Sequence, residues 1–540
     1  YGGLLILKHR IEDIEFYTLY GHNTVESVLK NKIGSKVKKG EIIAEIANYP
    51  ENGNWAPHLH FQIMLSMLDY KIDFPGVCYF NQIDVWKDLC PDPNLLFKSK
   101  DLDLDQSNSL EELIKYRNKH LGKSLKLHYE EPLNIVRGEG VYLMDSSGRK
   151  YLDTINNVAH VGHENELVVS KGKSQMSILN TNSRYLHKNI NELSKELLKT
   201  LPGKLSVVHF VNSGSEANEL AIRMMKSHTR ESDIIVSEHG YHGNTNICVD
   251  ISSYKFDGKG GSGAPENTHV IPIPNNFRGK YIGPNSGQKY VMEVEKCIKN
   301  ITSNKRGLGG FIIEPILSCG GQVELPKGFL KDTYKLIRKN GGICISDEVQ
   351  VGCGRLGKSF WGFEIHNVIP DIITIGKPLG NGHPIGAVVC SKEIAESFAN
   401  GMEFFNTFGG NPVSCSIGKE VLRFVKREKL QKNAKYIGDY LKGKLKKLSN
   451  KFKIIGDIRG QGLFLGIEFV DSEMNPLKEE TIYIVNRLKK FGILSSVDGP
   501  ENNVIKIKPP LTFNKHNCDM FILYLDKILS EDYLNRNHYE

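Results

Sequence analysis

Between about residue 190 and residue 390 two apolar patterns alternate along the chain. Short runs such as Val207-Val208-His209-Phe210-Val211, Ile234-Ile235-Val236, Gly310-Phe311-Ile312-Ile313, Gly342-Ile343-Cys344-Ile345 and Ile372-Ile373-Thr374-Ile375 are apolar at successive positions. Strands of that kind bury both faces. The stretches between them, such as Asn191-Glu192-Leu193-Ser194-Lys195-Glu196-Leu197-Leu198, carry helical spacing. This alternation predicts an α/β domain with a largely parallel sheet covered on both sides. Ligands of such sheets sit beyond the carboxyl ends of the strands.

From about 428 the pattern changes to a charged helix over Asn433 to Ser449, strands at Ile454–Arg459 and Leu463–Glu468, a helix, a strand at Val504–Ile507 and a final amphipathic helix near 516–530. This predicts a smaller α+β domain. Residues 1–98 instead show short β-rich runs, with a turn at Gly34–Gly40 and Glu41–Ile46 as a strand. Residues 99–109 are polar and read as a linker, with Ser109 placed to cap a helix starting at Leu110. The expected organisation is therefore 1–98, linker 99–109, an entry segment 110–189, a large domain 190–427 and a small domain 428–540.

Composition adds bounds. A chain of 540 residues with 40% hydrophobic and 24% charged residues is globular and has more than one core. The net charge of +8 is spread among acidic residues and forms no stripe, which argues against nucleic acid as a partner. The 10 cysteines include no CxxC pair, as expected of reduced thiols in a cytoplasmic protein. No apolar run is long enough to cross a bilayer, so no membrane partner is expected, and no signal peptide opens the chain. Because Tyr1 lies just before an apparent strand, Leu4–Leu7, the natural N-terminus is expected upstream.

Each chemically suggestive motif follows a predicted strand. Asn212-Ser213-Gly214-Ser215 opens a helix, where free N–H groups, hydroxyls and the positive dipole end suit a phosphate; an ordinary serine cap is the plainer alternative. Glu238-His239-Gly240-Tyr241-His242-Gly243 places a ring in a glycine-flanked turn, either to stack on a flat ligand or to pack on the core. Asp347 follows a buried strand and needs a cationic partner, either a protonated pyridine nitrogen or a nearby arginine such as Arg355. Lys377, in Gly376-Lys377-Pro378-Leu379-Gly380-Asn381-Gly382-His383-Pro384, is a candidate nucleophile toward a carbonyl or else a solvated surface lysine. In this order, a phosphate cradle, a stacking ring, a buried acid and a strand-end lysine are the parts that pyridoxal 5'-phosphate requires.

The stretches NSGSEANELAIR, HGYHGNT, ISDEVQVGCGRLG, ITIGKPLGNGHPIGA, FNTFGGNPVSC and IRGQGLFLGIEF resemble the class III aminotransferases, from about residue 110 to 530. The resemblance implies the PLP-transferase fold type I. It also implies Lys377 as the Schiff-base lysine, Asp347 as partner of the pyridine nitrogen, Val349 beneath the ring and Gln350 on the phenolic oxygen. Tyr241 would stack with His242 beside it, and Ser213, Gly214 and Ser215 would hold the phosphate. Thr407 would reach the phosphate of a neighbouring subunit, which implies a homodimer with shared active sites. Arg459 would bind a substrate carboxylate, although Cys319 stands where many relatives carry a glutamate that gates this arginine.

INNVAHVGH, NTNSRYLH and SCGGQ resemble the alanine–glyoxylate aminotransferase 2-like branch, some members of which are phospho-lyases, but Glu164-Asn165-Glu166 replaces its usual CHP. The implied activity is amino transfer between a small amine or amino acid and a keto acid. The alternative is elimination of phosphate from an O-phosphorylated amine.

In residues 1–98, Leu19-Tyr20-Gly21-His22 and Pro57-His58-Leu59-His60-Phe61 resemble the second half of the LytM/lysostaphin-type zinc metallopeptidases, an all-β fold. The resemblance makes His60 a zinc ligand with His22 and His58 accessory. The motif that completes the metal site is absent, and one protein ligand does not hold catalytic zinc, so no metal is expected. A peptidoglycan-directed peptidase or binding module is the functional alternative from another class.

Overall fold

The computed structural model describes residues 2–11, 14–79, 82–97 and 110–536. The expected linker 99–109 and the Ser109 cap lie outside the described residues. The chain forms two compact units, Tyr1–Arg137 with Met144–Arg149, and Gly138–Leu143 with Lys150–Glu540. Residues 110–137, which include the helix Leu110–His120, thus group with the first unit.

In the first unit, β1 (Gly3–Ile11) pairs antiparallel with β2 (Ile14–Asn23), and β2 with β3 (His60–Met64). Leu19, Met64 and Phe74 form a small core against Trp86. The strand expected at 41–46 is a correction: only an isolated bridge, Asn23 to Ile46, is present. Beyond that bridge, side chains from the helix Val25–Leu29 and just after it meet this backbone. The Ser27 hydroxyl accepts from Glu45 N at 3.0 Å, and Asn31 Nδ2 donates to Ile43 O at 2.7 Å.

The sheet brings the three predicted histidines together, with the His22 ring centroid 4.6 Å from that of His58 and 5.9 Å from that of His60. Two of them spend a nitrogen on the backbone: His22 Nδ1 lies 3.0 Å from Asn52 O and His58 Nδ1 2.6 Å from Ala56 O. Among the described residues no group of three or more His, Cys, Asp or Glu side chains is placed to hold a metal ion.

The second unit is built on a seven-stranded sheet. Its strands are β4 (Val207–Val211), β5 (Asp233–Ser237), β6 (Thr268–Ile271), β7 (Leu308–Ile313), β8 (Ile343–Asp347), β9 (Ile372–Ile375) and β10 (Gly386–Cys390). The order is β4-β10-β9-β8-β7-β5-β6. All neighbours are parallel except β10, which runs antiparallel to both β9 and β4. Every residue of β5, β7, β8, β9 and β10 is buried, because helices cover both faces. On one side α1 (Gly214–Thr229) packs Ala221, Met224 and Met225 on Ile234, Ile312 and Ile345. Elsewhere α2 (Pro412–Arg427) brings Cys415 and Leu422 to Ile373, Ile375 and Val389.

A second, antiparallel sheet is made of β11 (Ile455–Gln461), β12 (Phe464–Phe469), β13 (Ser496–Asp498) and β14 (Val504–Ile507), in the order β11-β12-β14-β13. No helix among the described residues is long and apolar enough to cross a membrane. All 10 cysteines are unpaired.

Candidate active site

The ends of β4, β7, β8 and β9 open on one cavity of about 300 Å³. It is lined by every predicted cofactor residue except Thr407: Ser213, Gly214, Ser215, Tyr241, His242, Asp347, Val349, Gln350 and Lys377.

Ser213 is extended, at φ −153° and ψ 164°, and its hydroxyl accepts from Glu216 N at 3.1 Å, so it starts α1. The Ser213 hydroxyl is thereby occupied as a cap, and the next N–H groups of the helix face the cavity end of the sheet. Glu216 in turn accepts from Asn212 N at 2.8 Å and from Asn406 Nδ2 at 3.0 Å, tying the cradle to the loop that carries Thr407. Thr407 itself is exposed. Gly214 is dictated by crowding, since an added Cβ would lie 2.8 and 2.9 Å from the two methyl carbons of Val349. Gly376 meets the same side chain from the other side, at 3.0 Å. Val349 thus sits between the phosphate cradle and the lysine loop as an apolar floor.

Asp347, 3% exposed, closes β8. Its Oδ2 accepts from His242 Nδ1 and Asn218 Nδ2, each at 2.8 Å, and its Oδ1 accepts from Val349 N at 3.0 Å. The acceptor fixes the His242 tautomer, with the proton on Nδ1. Arg355 is not the partner of Asp347, contrary to the alternative raised above. It is fully buried and donates to Leu463 O at 3.0 Å and Pro509 O at 2.6 Å, with His160 Nδ1 at 3.4 Å, and burial lowers it to about 9.

Lys377 begins a short 3₁₀ turn, Lys377–Leu379, with Pro378 fixing the next φ. The loop is pinned beyond it, because the Asn381 amide accepts from Val161 N at 2.8 Å and donates to Gly162 O at 2.9 Å. Gln350 Oε1 accepts from Asn157 Nδ2 at 2.8 Å and from Lys508 Nζ at 3.0 Å, and its Nε2 donates to Ser318 Oγ at 3.0 Å. Lys508, just beyond β14, is 6% exposed and donates to no carboxylate among the described residues. Burial, with repulsion from Lys506 and Lys377, lowers it to about 8. Lys506, by contrast, lies 3.5 Å from Asp498. Tyr241 lines the cavity and packs edge-on to Tyr254, with centroids 5.7 Å apart.

Arg459 is already engaged. Its Nη1 donates to Glu468 on β12 and, at 3.1 Å, to Asp457, while its Nε donates to Gly321 O at 2.7 Å. Burial raises Glu468, but Arg459 and Arg278 outweigh it and hold the carboxyl below the usual range. Arg459→Met would leave this buried carboxylate with Arg278 as its remaining cation, so a loss of about 3 kcal/mol in denaturant unfolding is expected. An unchanged midpoint would show the ion pair to be dispensable.

Asn218, Ser318, Asn157 and Lys508 are site residues that sequence reasoning passed over. Asn218 alone carried a local signal, lying one helical turn after Gly214 on the same face of α1.

The residues suit pyridoxal 5'-phosphate. The space beside Val349 is kept by two glycines, the first residues of α1 line the cavity where an anion would sit, and a buried carboxylate with three N–H donors would meet a ring nitrogen.

Comparison with known proteins agrees. The family Aminotransferase class-III matches residues 126–529. The "Alanine--glyoxylate aminotransferase 2-like" protein of Drosophila melanogaster is 45% identical over 439 residues, covering 79% of this chain and 89% of the relative. The "Ethanolamine-phosphate phospho-lyase homolog 1" of Caenorhabditis elegans is 38% identical, covering 78% and 94%. Among solved structures, a phospholyase from Arthrobacter in complex with phosphoethanolamine aligns with a TM-score of 0.75 at 36% identity, covering 78% of this chain and 99% of that one. The chain is therefore a member of the class III aminotransferase family, whose enzymes use pyridoxal 5'-phosphate.

Proposed function

We propose that within this family the chain eliminates phosphate from a small O-phosphorylated primary amine of the phosphoethanolamine type. One observation carries the choice: Arg459 is bound to Glu468 and Asp457, while Lys508 is buried beside Gln350 without a carboxylate partner among the described residues. The cation without a carboxylate partner beside the cavity is then the Lys508 ammonium, which stands behind the lining residue Gln350 and donates to it. The likeness to a phospholyase that binds phosphoethanolamine supports the same reading.

Bound pyridoxal phosphate supplies a carbonyl for the amine and a ring that accepts the electron pair left when a Cα proton departs. Lys377 would hold the cofactor, and its Nζ, once free, would be the base that takes the Cα proton. Asp347, held by His242, Asn218 and Val349 N, keeps a fixed negative charge toward the ring nitrogen. Lys508, behind Gln350, would add positive potential to the site from which phosphate departs. The Cα–H bond would break with its proton passing to Lys377 Nζ and the Cβ–O bond with its electron pair leaving on phosphate; Cβ would then take up a proton, and hydrolysis by one water would release ammonia and an aldehyde.

Amino transfer, the other activity among the relatives, uses the same Lys377 and Asp347 and differs in that the proton returns to the cofactor instead of a group leaving. The class III resemblance of the FNTFGG stretch and the exposure of Thr407, which does not line its own cavity, support a homodimer in which Thr407 completes the partner's phosphate site. Unpaired, largely buried thiols suit a reducing compartment, and the cytoplasm is the proposed location.

Purified protein loaded with cofactor is expected to release inorganic phosphate from phosphoethanolamine with no keto acid present. Phosphate release that requires a keto acid, or amino transfer to glyoxylate without phosphate release, would sink the lyase reading.

A further inference from the structure

Glu314 is a buried acid at the cavity to which the chemistry above gives no task. It follows β7 directly, and the β7–β8 register, with Ile313 opposite Ser346, places it beside Asp347 at neighbouring strand ends. It is 1% exposed and lines the cavity. Its two oxygens differ. Oε2 accepts from Ser318 Oγ at 2.5 Å and from Ser318 N at 3.3 Å, whereas Oε1 has no partner among the described residues. Ser318 is itself held, accepting from Gln350 Nε2 at 3.0 Å.

Two carboxylates buried at adjacent strand ends do not both ionise without strong compensation. The compensation here is one-sided, because Asp347 receives three N–H donors and Glu314 receives only those of Ser318. Asp347 therefore keeps the charge, and Glu314 takes the proton. Because Oε2 is already met by two donors, the proton resides on Oε1.

We propose that Glu314 is a neutral carboxylic acid at the cavity wall whose unpartnered Oε1–H donates a hydrogen bond to an acceptor atom of the bound cofactor. The charged and titratable groups around it are Asp347 from β8, His242 from the loop after β5 and Cys319 from its own loop. Burial first and Asp347 second push Glu314 up to about 7, against the opposing effect of His242. As pH rises through about 7, Glu314 would lose the donor and add a second negative charge beside Asp347.

The test compares equilibrium binding of pyridoxal phosphate to the full chain and to Glu314→Gln across that pH range. The glutamine amide reproduces the neutral acid, with an oxygen for Ser318 and an N–H for the cavity. Titrations of the cofactor and of Lys377 are common to both proteins, so the ratio of the two dissociation constants isolates Glu314. Below the step the two should bind within about threefold of each other. Above it the wild type should weaken about tenfold relative to the variant, in line with loss of one buried hydrogen bond. A ratio that stays flat with pH, or a Glu314→Gln protein that binds tenfold more weakly at low pH, overturns the proposal. Failure of both proteins to bind would instead count against the cofactor site itself.

Discussion

Lys377→Ala protein is expected to capture no cofactor covalently. After reduction with borohydride, the wild-type peptide that contains Lys377 should carry the added mass of the reduced cofactor, and the variant chain should carry none. Turnover should fall by at least about a thousandfold, since in the proposed reaction one side chain would supply both the nucleophile that holds the cofactor and the base that takes the Cα proton. The expectation rests on how firmly the lysine is placed. Pro378 sets the turn after it, Gly376 leaves room for Val349, and the Asn381 amide ties the loop to Val161 and Gly162. No neighbouring amine substitutes, because Lys508 is committed to Gln350. A variant that retained the mass at another lysine would refute the assignment.

The second large effect is expected at Asp347. Asp347→Asn keeps the shape but removes the charge, and whichever way its amide turns, the new N–H₂ meets a donor: His242 and Asn218 on one side, Val349 N on the other. Turnover should drop by about two to three orders of magnitude, the scale seen when a preorganised electrostatic contact is removed. The donor clash should also cost about 1–3 kcal/mol of stability. The cofactor peptide should still form in this variant, which separates loss of ring electrostatics from loss of capture. Wild-type turnover in Asp347→Asn would refute the role of the acid.

The second prediction also shows what could be read from the chain alone. Asp347, Lys377 and the Ser213–Ser215 cradle were legible because each follows a run of apolar residues, and the end of such a run is where a parallel sheet presents its residues. The partners of Asp347 were less so. Asn218 comes from within α1 and His242 from a separate loop, and they meet the acid only when three elements are packed on one sheet edge.

Arg355 illustrates the opposite outcome. It lies near Asp347 in sequence, but its guanidinium reaches the carbonyls of Leu463 and Pro509, more than a hundred positions away, because those buried carbonyls have no ladder partner there and a planar fork of donors serves both. The segment at 41–46 misled for a related reason: its apolar run fits a strand, but beyond the single bridge at Ile46 its backbone is met by the Ser27 and Asn31 side chains.

By itself, the sequence determined the class of sheet and which strand ends, Lys377 among them, meet at the cavity, since these depend on apolar periodicity and on residues close together along the chain. Only the tertiary structure decided which charges are spent and which are free. Arg459 is neutralised across a strand pair by Glu468, Lys508 remains a buried cation behind Gln350, and Glu314 has to share one strand-end neighbourhood with Asp347. The physical reason is that ionisation and pairing depend on distance and burial, and the residues involved are brought together from β7, β8, β11, β12 and the segment after β14.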